Sequence, residues 1–208
     1  MKSILLLGAT GKTGKEVMNY ALSKGYHITA LVRDPGKADA NPGRITLVKG
    51  TPVNASDVRA IKGYEAVIST LGHSNLDPSP LMTDSIKNMV MAMREKGIRR
   101  IVVQTGAGAG DSFSRMPLSV QMLIRDTGLK AVYEDHKGQE QALMDSGLDW
   151  TVVRPVTLND GEEGRIRVIQ GPISESYTIS RKSVAKFLVD CREKAEFFGK
   201  ALVISEDQ

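Results

Sequence analysis

The sequence predicts a Rossmann-like, doubly wound α/β fold with a mainly parallel sheet, and three observations support this. An apolar run at residues 4–7 leads directly into a glycine-rich turn, as a buried parallel strand does. Strand-like and helix-like patterns then alternate from Ile4 to Ala185. The 208 residues, 41% of them hydrophobic and 25% charged, are typical of one globular domain. We therefore expect residues 1–208 to form a single domain, with its ligand crevice at the carboxyl ends of the strands.

The turn after the first strand has the spacing Gly8-x-x-Gly11-x-x-Gly14. Gly8 suits a tight turn, Gly11 lets the backbone approach a pyrophosphate, and Gly14 lets strand and helix pack closely. Residues 12–24 follow with the apolar spacing of a helix packed on a sheet. The N-terminus of that helix would present N–H groups and a positive dipole end to phosphates. The stretch is thus predicted to bind a dinucleotide.

Two alternatives to dinucleotide binding are considered for this turn. Gly11-Lys12-Thr13 resembles the end of a P-loop, but Leu6 stands where a P-loop needs its first glycine. A glycine turn without any ligand is the simpler alternative. The strand before the turn and the helix after it favour dinucleotide binding.

The second predicted strand, residues 26–32, ends where a Rossmann fold contacts the adenosine ribose. Arg33 comes first after this strand and Asp34 second. An arginine there pairs with a 2′-phosphate and favours NADP, whereas a carboxylate accepts from the ribose hydroxyls and favours NAD. We expect NADP, with a solvated Arg33 and a turn-starting Asp34 as the alternatives.

The remaining elements follow in order. The fourth predicted strand ends at Gly72, so Gly72 and His73 should line the ligand crevice. A lone loop histidine is more often without a catalytic role, and His73 is taken as a candidate for binding the acceptor. The further predicted strands are residues 45–48, 66–72, 101–103, 148–153, 166–169, 177–179 and 201–204. The further predicted helices are residues 56–61, 81–96, 116–125, 132–146 and 181–193.

The late part of the chain holds the candidates for chemistry. A glycine-rich loop at residues 104–112 follows the fifth strand and should border the reactive end of the cofactor. Tyr133 and Lys137 stand four apart on one helix face, with His136 beside them. A lysine next to a tyrosine lowers the phenol pKa and suits it to proton donation, although many helices carry such a pair. Arg154, after the sixth strand, is either a ligand contact or part of a structural salt bridge.

Charge and composition argue against several classes of protein. The net charge is +4, but the positive charges are dispersed and aromatic residues make up 5% of the chain, so no nucleic-acid partner is predicted. No run approaches the ~20 apolar residues of a membrane span, and no signal peptide is expected. The single cysteine, Cys191, excludes an internal disulfide. We expect a cytoplasmic protein without a metal site.

The combined motifs resemble one known group. Its marks are Gly8-Ala9-Thr10-Gly11-x-Thr13-Gly14, Leu31-Val32-Arg33-Asp34-Pro35, residues 146–155 and Ile179-Ser180-Arg181. They are similar to the atypical short-chain dehydrogenase/reductases of the NmrA-like NAD(P)-binding kind. Leu71-Gly72 before Asn75, and Asp135-His136 before Ser146-Gly147-Leu148, resemble its biliverdin-IXβ reductase and flavin reductase branch.

This resemblance implies NADP(H) as cofactor and reduction of a flavin such as FMN or FAD, a quinone or a similar planar acceptor. It implies that Arg33 binds the 2′-phosphate and that Tyr133, His136 and Lys137 are catalytic candidates. From their positions after the strands, we expect His73, Gly106 and Arg154 to contact the acceptor. The cofactor residues it implies are Gly8, Thr10, Gly11, Lys12, Thr13 and Gly14 at the pyrophosphate and Leu71, Gly72, Thr105 and Pro155 at the nicotinamide half.

The sequence also departs from the family pattern. Thr51 follows Gly50 where many relatives place an acidic residue, and Gly106 stands where that branch has a serine. A serine-tyrosine-lysine triad is therefore incomplete, which makes flavin reduction the favoured activity. The alternatives are a catalytically silent NADPH sensor with a protein partner and a carbonyl reductase that uses Tyr133 and Lys137.

Overall fold

Strands and helices alternate along the chain, as the sequence predicts. The computed structural model describes residues 2–37, 43–73 and 79–207, so Asn75 lies outside the described residues. The helices are α1 (Lys12–Ser23), α2 (Ala55–Ala60), α3 (Leu81–Glu95), α4 (Leu118–Asp126), α5 (Leu129–Met144) and α6 (Arg181–Asp190). The strands are β1 (Ser3–Leu7), β2 (His27–Val32), β3 (Ile45–Lys49), β4 (Ala66–Ser69), β5 (Arg100–Gln104), β6 (Asp149–Pro155), β7 (Thr157–Asn159), β8 (Ile166–Val168), β9 (Thr178–Ser180) and β10 (Lys200–Glu206).

The main sheet has eight strands in the order β3-β2-β1-β4-β5-β6-β10-β8. All neighbouring pairs are parallel except β10 and β8, which are antiparallel. The first strand lies in the interior of this sheet, pairing Ser3 with His27 of β2 and Ile4 with Ala66 of β4. A doubly wound Rossmann-like domain with a mainly parallel sheet is therefore confirmed.

Helices cover both faces of the sheet. On one face α1 packs beside α6, and on the other α3 packs beside α5. Successive residues of β1 alternate between the two cores, so that Ile4 and Leu6 face α1 and α6 while Leu5 and Leu7 face the other layer. Burial on both faces explains why this strand is a continuous apolar run.

Several element bounds differ from the expected ones. The Asn54 side chain caps α2, which begins at Ala55. The helix expected from residue 116 begins at Leu118, after Pro117, and α5 begins at Leu129. The short strand β7 had no separate signal, since its parallel pairing with β9 joins segments about twenty residues apart. Residues 191–193 form a 3₁₀ turn instead of continuing α6.

The strand order defines a crevice beside β1. The chain passes from β1 outward to β2 and β3 and then returns to β4 on the other side of β1. A topological switch point of this kind opens a ligand crevice at the carboxyl ends of the two strands, where Gly8 and Thr70 lie. No described helix is long and apolar enough to cross a membrane. The described part of the chain contains no cluster of side chains suited to a metal ion.

Candidate functional site

The turn between β1 and α1 depends on its glycines for close packing. Gly8 has a φ of +83°, and a Cβ there would lie 2.7 Å from the Thr70 carbonyl oxygen. A Cβ on Gly14 would lie 2.1 Å from the Gly8 oxygen. The N-cap of α1 is Gly11, and no side chain caps the first turn. First-turn N–H groups without a protein cap suit a dinucleotide pyrophosphate, so this cradle fits the cofactor that the fold implies.

A groove of about 640 Å³ extends from this turn past the ends of β2 and β4. Leu158 and Arg181, from the late part of the chain, close its far side. Leu81 at the start of α3 and Thr51 after β3 also contribute. The groove contains most of the residues expected to bind cofactor or acceptor, namely Gly8, Thr10, Gly11, Lys12, Thr13, Arg33, Leu71, Gly72 and His73. Gly14 is absent from the lining because it packs against Gly8 instead.

The end of β2 presents one available cation to this groove. Arg33 is exposed, and within the described residues its guanidinium has no ion pair or hydrogen bond. The Asp34 carboxylate accepts from the Gly36 N–H at 3.1 Å, which is the geometry of a turn-starting aspartate. Asp57 accepts from the Thr51 N–H at 2.9 Å, so a carboxylate does lie after β3, bound to backbone.

Beside the glycine turn, two cations of the groove share one acidic partner. The Lys12 ammonium lies 3.1 Å from an Asp160 carboxylate oxygen, and the Arg181 guanidinium binds the other oxygen of Asp160. The hydrogen bond from Lys12 holds the pKa of Asp160 below its usual value. Arg181 is the first residue of α6, whose N-cap is Ser180. Sequence reasoning gave Arg181 no role, although the Ile179-Ser180-Arg181 motif contained it.

His73 is held in place by a buried carboxylate that sequence reasoning also missed. Its Nε2 lies 2.8 Å from Asp135 Oδ2, and each side chain is 3% exposed. The backbone N–H groups of Met82 and Thr83 both donate to Asp135 at 2.8 Å. Burial alone would raise the pKa of Asp135, but the hydrogen bonds from Thr83, Met82 and His73 lower it below its usual value. Asp135 therefore fixes His73 at the groove and joins α3 to α5.

A second cavity, of about 390 Å³, lies beyond the glycine loop at residues 105–110. Leu158 lines both this cavity and the dinucleotide groove, so the two adjoin. Thr105, Gly106 and Pro155, expected near the nicotinamide and the acceptor, lie here. The rest of the wall is mostly apolar or aromatic, with Met116, Val120, Leu123, Ile124, Val156, Ile173 and Tyr177 among its residues.

Tyr133 and Lys137 do not interact in the way that the sequence predicts. The Tyr133 hydroxyl donates to the Ala107 carbonyl at 2.9 Å. Burial raises the pKa of Tyr133 above its usual value, whereas the sequence predicted that Lys137 would lower it. Lys137 is exposed and lines a neighbouring cavity, not the one beside Gly106.

His136 faces the space beside Gly106. A Cβ on Gly106 would lie 4.0 Å from His136 Nε2 and 3.8 Å from the Tyr133 hydroxyl oxygen. The Gln139 side-chain amide lies 3.0 Å from His136 Nδ1, in a hydrogen bond whose direction is set by the ring tautomer. Burial lowers the pKa of His136 to about 4, so this imidazole is neutral at pH 7.

The Arg154 side chain is buried in ion pairs, so it is not positioned for the expected contact with the acceptor. It is 1% exposed, and its Nη2 and Nη1 lie 2.6 Å from Glu140 and 2.6 Å from Asp111 respectively. Thr105 Oγ1 donates to the same Glu140 at 2.8 Å. A Cβ on Gly110 would lie 2.5 Å from Arg154 Nη2. This buried pair supports the glycine loop from beneath, which is the structural alternative considered for Arg154.

Comparison with known proteins agrees with this geometry. Residues 8–195 match the NAD(P)H-binding protein family. A chloroplastic protein of Arabidopsis thaliana is 29% identical over 216 residues, covering 94% of this chain and 74% of its own length. ChuY of Escherichia coli O157:H7, described as an anaerobillin reductase, superposes with a TM-score of 0.83 at 22% identity, covering 100% of this chain and 98% of its own. A Veillonella parvula short-chain dehydrogenase/reductase solved with NADP has a TM-score of 0.79 at 22% identity. The superposition covers 99% of this chain and 94% of that protein.

Proposed function

Because this chain belongs to the NAD(P)H-binding protein family, we propose that it is an NADPH-dependent reductase that acts on a flavin, a quinone or a similar planar acceptor. The observation that carries the proposal is the junction of two cavities at Leu158. One is a dinucleotide groove, and the other is an apolar cavity beyond it. Ring systems held in contact across such a junction exchange hydride with little help from side chains. The reductase description of ChuY, which shares the fold, supports this class of activity.

The groove residues divide the binding of NADPH among them. The glycine turn and the first N–H groups of α1 bind the pyrophosphate, with Lys12 and Arg181 adding positive charge. Arg33, at the end of β2, pairs with the 2′-phosphate and selects NADPH over NADH. When bound, the nicotinamide supplies the hydride.

The second cavity binds the acceptor and excludes water from it. Its apolar wall suits a planar ring system such as the isoalloxazine of FMN or FAD. His136 Nε2, beside Gly106, forms a hydrogen bond with a polar atom of the acceptor. Tyr133 is engaged with Ala107 and serves as a wall of the cavity.

Steady-state oxidation of NADPH with FMN, FAD, a quinone and a carbonyl compound tests this proposal. We expect turnover with the planar acceptors and little with the carbonyl compound, because the Tyr133 hydroxyl is bound elsewhere and its pKa is raised. Tight binding of NADPH without turnover of any acceptor would contradict a reductase and favour a sensor that signals to a protein partner.

Tyr133→Phe separates flavin reduction from carbonyl reduction. If Tyr133 were the general acid, its loss would lower turnover by roughly 100- to 10,000-fold. We expect a change of less than about 3-fold in FMN turnover, far below that range. The affinity for NADPH, measured by fluorescence titration, serves as the control for a folded cofactor site. A loss of turnover of the larger size with FMN would contradict the assignment.

A further inference from the structure

A third cavity adjoins the acceptor cavity and shares Tyr133 with it. It measures about 300 Å³ and is enclosed by the glycine loop, the end of α4 and the first turns of α5. Ile124 and Tyr133 line both this cavity and the acceptor cavity, so the two are neighbours. The hydrogen bond from Tyr133 to Ala107 keeps this shared wall in place.

Three cations surround this third cavity. They are Arg125 of α4 and Lys130 and Lys137 of α5, and Glu134 is the one acidic residue of the lining. Lys130, Glu134 and Lys137 share one helix face, as their spacing of four and three residues requires. The cavity, which we call the basic cavity, thus carries a net positive charge.

The cations of the basic cavity are unpaired, unlike many others on this surface. Within the described residues, no ion pair or side-chain hydrogen bond involves Arg125, Lys130 or Lys137, and Arg125 only stacks over the Phe113 ring at 5.1 Å. Elsewhere Lys182 pairs with Glu162 at 2.7 Å and Arg99 with Asp149 at 3.0 Å. Like charges around one concave surface repel each other, and a bound anion relieves that repulsion.

We infer that the basic cavity binds an anionic group, a phosphate or a carboxylate, carried by the acceptor on a flexible chain. This rests on the proposed function, since the ring of that acceptor occupies the neighbouring apolar cavity. A guanidinium and two ammonium groups suit a terminal phosphate, the first through paired hydrogen bonds and the others as point charges. The acceptor class is therefore a planar ring with an anionic tail, and FMN should be preferred to riboflavin, which has the same ring without the phosphate.

The inference is tested by titrating each flavin with protein that is saturated with NADP⁺. Quenching of the flavin fluorescence measures the binding. We expect FMN to bind at least about 10-fold more tightly than riboflavin, the effect of one charge-assisted hydrogen bond. The double variant Arg125→Gln/Lys130→Gln should bring the affinity ratio of FMN to riboflavin close to one. Lys62→Gln, which removes an exposed charge near the amino ends of the strands, should leave the ratio unchanged.

Added inorganic phosphate distinguishes a tail site from a site for a free anion. Phosphate that weakens FMN binding but not riboflavin binding supports a site occupied by the tail of the acceptor. Phosphate that binds without affecting either flavin would overturn that assignment.

The same titrations keep the two proposals distinguishable. Equal binding of FMN and riboflavin, or an unchanged ratio in the double variant, would overturn the basic cavity as a tail site even if both flavins are reduced. A clear preference for FMN without any oxidation of NADPH would leave the anion site intact and contradict the reductase. Binding of neither flavin would overturn the tail site, whereas the reductase would be contradicted only if the quinone were not reduced either.

Discussion

At the scale of single residues, Glu140 is the residue on which the glycine loop depends. Its carboxylate accepts from Thr105 at 2.8 Å and pairs with Arg154 at 2.6 Å, and both charged side chains are at most 2% exposed. Two buried charges of this kind stabilise a fold only as a pair, because each alone would have lost its hydration without compensation. Glu140 therefore contributes both to the position of the glycine loop and to the stability of the fold.

Glu140→Ala should lower the free energy of unfolding by about 3–5 kcal/mol, because the buried Arg154 would keep only the exposed Asp111 as its partner. Chemical denaturation measures this change. Glu134→Ala, at an exposed position of the same helix, is the matched control and should change stability by less than about 0.5 kcal/mol. Equal effects of the two variants would show that Arg154 finds another partner.

His136 makes stability depend on pH in a defined window. Its folded-state pKa of about 4 lies below the usual value of 6.5, so between these values the unfolded chain binds more protons. The free energy of unfolding should fall by up to about 3 kcal/mol as the pH drops from 6.5 to 4. Asp135, whose pKa is lowered from 3.8, adds its own loss only at lower pH. Denaturation of His136→Gln across this window should show a smaller slope, and identical slopes would contradict the assignment.

We expect Arg33 to set the preference for NADPH over NADH. The Arg33→Ala variant should bind NADPH about 10-fold or more weakly, because a charge-assisted pair with the 2′-phosphate is lost. NADH lacks that phosphate, so its affinity is the internal control and should stay within about 2-fold. Isothermal titration with both cofactors measures the two affinities. An unchanged ratio would place the 2′-phosphate elsewhere in the groove.

At the scale of elements, the segment between β7 and β8 lies across the phosphate end of the groove. Its acids pair with cations of two helices, Asp160 with Lys12 and Arg181, and Glu162 with Lys182. We therefore expect the phosphates of a bound dinucleotide to compete with the Asp160 carboxylate for the same two cations.

Asp160→Asn should raise the affinity for NADPH by about 2- to 5-fold, the modest effect expected from an exposed ion pair. Glu162→Gln removes one acid from the same segment, and its lysine partner does not line the groove, so it is the matched control. Titration of both variants by fluorescence provides the comparison. A loss of affinity in Asp160→Asn would mean that Asp160 orients the two cations instead of competing for them.

At the scale of the whole molecule, the strand order brings together the parts of the site. The glycine turn follows β1, Arg33 follows β2, and Gly72 and His73 follow β4, and these strands are neighbours in the sheet. The acceptor cavity adds the ends of β5 and β6. Its remaining wall comes from α4, the start of α5 and residues 156–158 and 173–177. Most of the groove lining thus comes from the first half of the chain, with Leu158 and Arg181 added from the second half, whereas the lining of the acceptor cavity comes from the second half.

The sequence by itself determined the strand-turn-helix unit at residues 3–23, the exclusion of a P-loop by Leu6, the position of Arg33 and the fold class. These are local properties, because the periodicity of strands and helices and the backbone freedom of glycine act over a few residues. The close packing predicted for Gly14 agrees with the structure, where a Cβ on Gly14 would overlap the Gly8 carbonyl oxygen.

Only the tertiary structure determined which partners the polar residues in the late part of the chain contact. Asp135 reaches His73 across 62 positions, Asp160 reaches Lys12 across 148, and Arg154 turns inward to Glu140. The chain carries many polar side chains, and spacing cannot tell which of them meet once the crossovers are made. Burial then decides their chemistry, since it raises the pKa of Tyr133 and lowers that of His136. Such effects depend on the water that is excluded when layers pack, and no short stretch of sequence contains that information.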